Sequence, residues 1–91
     1  MFDWEDLRHF AAFVRAGSLT AAAKALAVDH ATVARRIASL ETALNLKLVD
    51  RRSRAYVLTH QGLRIAEFAE QMSTSSFALE HYAGADQPDV Q

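Results

Sequence analysis

Two short runs in this 91-residue sequence have side chains of the right type and spacing to do chemistry. The first is His30-Ala31-Thr32-Val33-Ala34-Arg35-Arg36, and the second is Arg51-Arg52-Ser53-Arg54. Neither looks catalytic. Ser18, Ser39 and the four histidines offer no nucleophile with a base and an orienting group, and no glycine-rich loop could cradle a phosphate. The absence of cysteine removes disulfides, thiolate zinc sites and cysteine nucleophiles together. His9, His60 and His81 lack metal-ligand spacing and are expected to be structural or surface residues. Guanidinium groups and short hydroxyls in such runs are suited to phosphates and base edges. Arg35 can form a bidentate pair with guanine, worth about 1–3 kcal/mol of discrimination. Arg36 and Thr32 are expected on phosphate. The arginine-rich run, with Arg52 and Arg54 foremost, suits a narrow minor groove where negative potential is focused. Arg51 could instead pair with Asp50 or Glu41.

The formal net charge of −1, taken alone, argues against nucleic acid, but its distribution does not. Between Lys24 and Arg64 eight basic residues face only Asp29, Glu41 and Asp50. The flanks carry Arg8 and Arg15 against eight acids. A basic middle between acidic ends polarises the molecule, and that polarity governs docking on phosphates.

These runs need elements to hold them. Trp4, Leu7, Phe10, Ala11 and Val14 recur at helical spacing, with Asp3 as cap, acids in the first turn and Gly17 as stop. A short alanine-rich helix follows over Thr20–Leu26. Ser18 or Thr20 is its N-cap, and both are candidate phosphate contacts. Lys24 is either solvated or on phosphate. Ala27-Val28 forms the turn, and Asp29 caps a third helix over His30–Leu44. Val33, Ile37, Leu40 and Leu44 form its apolar stripe, and Asn45 ends it in a left-handed conformation. Two β-prone runs, Leu46–Val49 and Ala55–Leu58, flank the arginine-rich tip and predict a hairpin without a strong turn signal. A long helix starts at Thr59. Ile65, Phe68, Met72, Ser75, Leu79 and Tyr82 form a heptad seam on it, which predicts pairing with a second chain. Gly62 sits in its first turn, where its cost is tolerable.

The predicted fold class is mainly α with a small β-hairpin: a winged helix-turn-helix over 1–58, then a long dimerisation helix over 59–84 and a frayed tail over 85–91. The helix-turn-helix occupies about 19–38 and the wing about 47–58. The stripe of the third helix packs inward, so the turn from His30 to Arg36 enters the major groove. Sequence-specific binding of double-stranded DNA in transcription is the leading reading. A winged-helix protein-interaction module with an incidental basic face is the alternative. The acidic N-terminus is no secretory signal and no run is long enough to span a membrane, so a cytoplasmic location is expected.

The run Leu19-Thr-Ala-Ala-Ala-Lys-Ala-Leu-Ala-Val-Asp-His-Ala-Thr-Val-Ala-Arg-Arg-Ile-Ala-Ser-Leu-Glu41, then Leu46-Lys-Leu-Val-Asp-Arg51 and Leu58-Thr-His-Gln-Gly62, resembles LysR-type transcription regulators over about residues 4 to 82. The resemblance implies a dimer, within a tetramer in a full-length parent, on an interrupted palindrome near a promoter. It places base reading on His30, Ala31, Thr32, Ala34 and Arg35, and the wing arginine on Arg54. It implies no cofactor in this chain. A small-molecule effector belongs to a C-terminal domain of periplasmic-binding-protein type, which this sequence lacks. A DNA-binding fragment is therefore expected, rather than a short stand-alone relative. The recognition helix departs from the common Ser-Gln-Pro or Ser-Gln-Ser opening. Asn45 stands in for the usual glycine, and Val49 for a usual phenylalanine.

Overall fold

Local capping sets the helix boundaries. In the computed structural model of the chain, which describes residues 1–52 and 55–86, the Asp3 carboxylate accepts from Glu5 N at 2.9 Å and opens α1 (Trp4–Ala16). Gly17, at φ 90°, ends it by donating its amide to the Phe13 carbonyl. The Ser18 hydroxyl accepts from Ala21 N and opens α2 (Leu19–Leu26). Asp29 accepts from Thr32 N and opens α3 (His30–Leu44). Ala27 and Asn45 close α2 and α3 in the left-handed region, at φ 60° and 56°. Asparagine is suited to that conformation; for alanine it costs roughly 1 kcal/mol.

α1, α2 and α3 pack on one another, and α1 also meets the long final helix. Phe10, Phe13, Ala22, Ala23, Val33, Ile37 and Leu40 fill the centre. The stripe of α3 behaves as expected, with Val33, Ile37 and Leu40 fully covered and Leu44 half-buried. α1 differs from its expected single stripe. Trp4 is exposed and Val14 only half-buried, whereas Phe13, Asp6 and His9 are buried. α1 is covered from several sides by the other helices, so its buried sector is wider than one row of positions. His9 Nδ1 lies 2.7 Å from the Glu5 carbonyl, which can only accept, so that nitrogen carries the proton.

The hairpin is shorter than predicted. β1 (Val49–Asp50) pairs antiparallel with β2 (Val57–Leu58), Val49 opposite Leu58 and Asp50 opposite Val57. Two residues a side give the ladder little strength, and side chains carry the attachment instead. The Glu41 carboxylate on α3 accepts from Leu48 N at 2.8 Å and Val49 N at 3.1 Å, and pairs with Arg51 at 3.0 Å. Arg51 in turn lies over the Tyr56 ring, 5.1 Å from its centroid, and Tyr56 meets Phe13 of α1 edge-on. One carboxylate thus links the end of α3 to the chain entering and leaving β1.

α4 (His60–Asp86) follows at once. Thr59 Oγ1 donates to the Lys47 carbonyl and accepts from Gly62 N at 2.9 Å. Gly62 is buried, and a Cβ there would lie 2.1 Å from the Leu48 carbonyl oxygen. The glycine is therefore required by close backbone approach, beyond being merely tolerated in a first turn. At 1.5 Å per residue α4 is about 40 Å long. Ile65, Ala66 and Ala69 pack on the domain, and after Ser73 every described side chain of the helix is exposed. No described helix is long and apolar enough to cross a membrane.

Two stability outcomes follow. Gly62→Ala forces the β1–α4 corner apart and lowers stability by about 1–3 kcal/mol in thermal melts. Glu41→Ala strands the buried Leu48 and Val49 amides and costs roughly 2–4 kcal/mol. Glu41→Gln, which keeps an acceptor, loses markedly less; equal losses for both would mean the carboxylate does not bridge these groups.

Candidate nucleic-acid interface

The inward stripe of α3 turns its opposite side to solvent. His30, Ala31 and Arg35 are exposed there, with Thr32 and Ala34 half-buried at the margins. Arg35 makes no ion pair among the described residues, so its planar donor fork is free to meet a ligand. It lies near enough to Asp29 to help lower that carboxyl, after the hydrogen bonds from Thr32. Ser18 and Thr20 open α2 nearby. They line, with His30, Phe13, Ala55 and Tyr56, a concavity of about 270 Å³ between the start of α2, the start of α3 and the base of the hairpin. The fold therefore brings Ser18, Thr20 and His30 to one place. Ser18 is the cap of α2, and Thr20 is exposed in its first turn.

Three arginines are more engaged than their sequence suggests. Arg36 was expected on phosphate, but its Nη1 lies 3.1 Å from the buried Asp6 carboxylate and 3.7 Å from Asp3. A buried acid needs a paired charge more than a solvated arginine needs a phosphate. Arg36 is accordingly a tie from α3 to α1. Arg51 is taken up by Glu41, one of the two acids considered for it, and by Tyr56, which was not. Arg52 is exposed but grips Asp50 with two nitrogens, at 2.7–3.1 Å, and holds that carboxyl down to about 2. Ser53 and Arg54, the rest of the predicted wing tip, lie outside the described residues. Lys47, beside Asp50, Arg51, Arg52 and Thr59, lines a second open concavity on the hairpin flank.

Asp6 and Tyr56 were not anticipated. Asp6 reads as an ordinary first-turn acid, and its partner stands thirty positions away. Tyr56 reads as a β-prone residue, although an aromatic near an arginine-rich tip is a signal for cation–π contact. Among the described residues no group of three or more His, Cys, Asp or Glu could hold a metal.

The proposed seam of α4 divides in two. Ile65 packs on its own domain. Phe68 and Met72 border an apolar groove of about 290 Å³ with Phe2, Leu7, Leu40 and Leu44. Leu79 and Tyr82 are each 67% exposed.

The family model described as bacterial regulatory helix-turn-helix protein, lysR family, matches residues 4–63. The HTH-type transcriptional regulator DmlR of Escherichia coli K12 is 40% identical over 67 residues, covering 74% of this chain and 22% of DmlR. The chain thus spans about a fifth to a quarter of the length of the curated relatives it matches. Among solved structures, the BenM DBD complex with benA site 1 DNA matches with a TM-score of 0.85 at 26% identity, covering 94% of this chain and 100% of that one. Full-length CbnR complexed with target DNA matches at 0.80 and 28%, covering 92% and 29%. With three packed helices, a hairpin wing and a long trailing helix in the same order, the chain belongs to the lysR family of bacterial regulatory helix-turn-helix proteins.

Proposed function

We propose that this chain is the DNA-binding and dimerising part of a transcription regulator, with α3 in the major groove and the hairpin against the adjacent minor groove. The observation that carries the reading is the outward face of α3. Arg35 stands there free of ion pairs among the described residues, on a helix held from behind by Val33, Ile37 and Leu40 and from the side by the Arg36–Asp6 pair. A rigid helix presenting an unspent bidentate donor beside His30, Ala31, Thr32 and Ala34 is suited to reading base edges. The likeness to a regulator domain solved on DNA supports the same docking. Thr20, Lys24 and Lys47 are exposed around this face and are the candidate phosphate contacts. Arg52 joins them by exchanging Asp50 for a phosphate, and Arg54 serves as the minor-groove residue.

α4 pairs with α4 of a second copy. Phe68, Met72, Leu79 and Tyr82 lie along one side of a helix that outruns its domain, and such a row gains stability only when covered. Two copies related by a twofold axis would read an interrupted inverted repeat. Within a longer parent, the dimer is a unit of a tetramer and a separate domain senses the effector. The work is regulation in the cytoplasm rather than catalysis.

Selection from a random duplex library near physiological salt should recover an interrupted inverted repeat. Recovery of no motif, with weak and salt-insensitive binding to all duplexes, would favour protein interaction instead. Arg35→Ala should relax preference at one position of each half-site by about tenfold or more; an unchanged motif would remove Arg35 from the base contacts. Met72→Glu should shift the chain from dimer to monomer in sedimentation velocity, and a persistent dimer would locate the contact elsewhere.

A further inference from the structure

We infer that Thr32 selects an exocyclic amino group, that of cytosine or adenine, at the base it faces, because its own hydroxyl proton is already committed to Asp29. The inference rests on the DNA-binding reading above and deepens it. Thr32 Oγ1 lies 2.8 Å from Asp29 Oδ1, and the same oxygen accepts from Thr32 N at 2.8 Å. These two bonds are what chiefly lower the Asp29 carboxyl below its ordinary range, so it is ionised at neutral pH. An ionised carboxylate has no proton to give, so the threonine hydroxyl must be the donor. What remains on Thr32 is a pair of acceptor lone pairs and a methyl group.

This decides which groups on DNA it can serve. Phosphate oxygens only accept, and the neighbouring Asp29 charge repels them, so the expected phosphate contact is the wrong partner. In the major groove guanine offers acceptors and thymine offers an acceptor and a methyl. Only cytosine N4 and adenine N6 offer protons to a side chain that has none to give. Ala31 and Ala34 have no polar side-chain atom and Arg35 carries only donors, so of the neighbouring side chains only Asp29 and His30 could also accept from that group, and Thr32→Val leaves both in place. The N-cap of α3 therefore sets helix geometry and also fixes the polarity of one reading residue.

Binding-site selection with four proteins separates the possibilities. The wild type should select A or C at one position of each half-site. Thr32→Val, which keeps shape but removes the hydroxyl, should lose preference at that position alone. Thr32→Ser should retain it. Asp29→Gly, a change that helix N-caps tolerate well, frees the hydroxyl proton and should admit G and T there. A second measurement replaces the selected base by its analogue lacking the amino group, purine for adenine or 2-pyrimidinone for cytosine. Wild-type affinity should fall about tenfold, and that of Thr32→Val should not change. A purely structural role for Thr32 would not produce this coupling. Selection of G or T by the wild type, or equal sensitivity of both proteins to the analogue, overturns the inference. So does uniform weakening by Thr32→Val with a shallower salt dependence, which would mean a phosphate contact. A wild type that selects no motif overturns the DNA-binding reading and this inference together.

Discussion

Helix α3 and the hairpin are held in register by one carboxylate. Glu41 sits near the end of α3, collects the amides of Leu48 and Val49, and pairs with Arg51 as the chain enters the hairpin. A ladder of two residues on each side could not orient a wing by itself. Charge-assisted bonds to one acceptor do so because the acceptor belongs to the helix that the wing must flank. The Arg51–Tyr56–Phe13 stack extends the fixation to β2 and α1. Consequently the angle between the face of α3 and the hairpin depends on side chains at the wing's base.

The same economy governs the arginines. A basic segment read as a count of charges suggests a uniform sheet of phosphate contacts. In the folded chain Arg36 and Arg51 support the scaffold, Arg52 is balanced by Asp50, and Arg35 is left facing outward without an ion pair among the described residues. Charge therefore divides between holding the helix and facing outward from it. A helix pinned from behind by apolar packing and from the side by the half-buried Arg36–Asp6 pair would lose little freedom on docking, which lowers the cost of binding.

Much of this was legible because helix signals are local. Asp3, Gly17, Ser18, Asp29 and Asn45 act within a few residues of where they stand, and each caps the helix end assigned to it. The stripe of α3 was legible because one side of that helix is covered. α1 was less so, since cover on several sides drew Phe13 and Asp6 inward and left Trp4 out. The limits of the hairpin were not legible, because no turn dipeptide marks it and its attachments lie in Glu41 and Tyr56. The partner of Arg36 was hidden for a related reason: nothing near Arg36 in the chain points to Asp6. At the outward face, spacing could nominate Thr32 and Arg35 but could not show that the Thr32 hydroxyl is already donating.

The far half of α4 draws almost no stability from the domain that carries it. None of the described side chains beyond Ser73 is buried over its backbone bonds, and a solvated helix of that length is marginal by itself. Amide exchange should therefore be slow near Ala69 and quicken toward Asp86, and, if α4 pairs as proposed, slow again in the distal turns as chain concentration rises. Under the proposed pairing, the folded length of this helix becomes a record of how much partner is present, so association and the ordering of α4 would be two readings of one equilibrium.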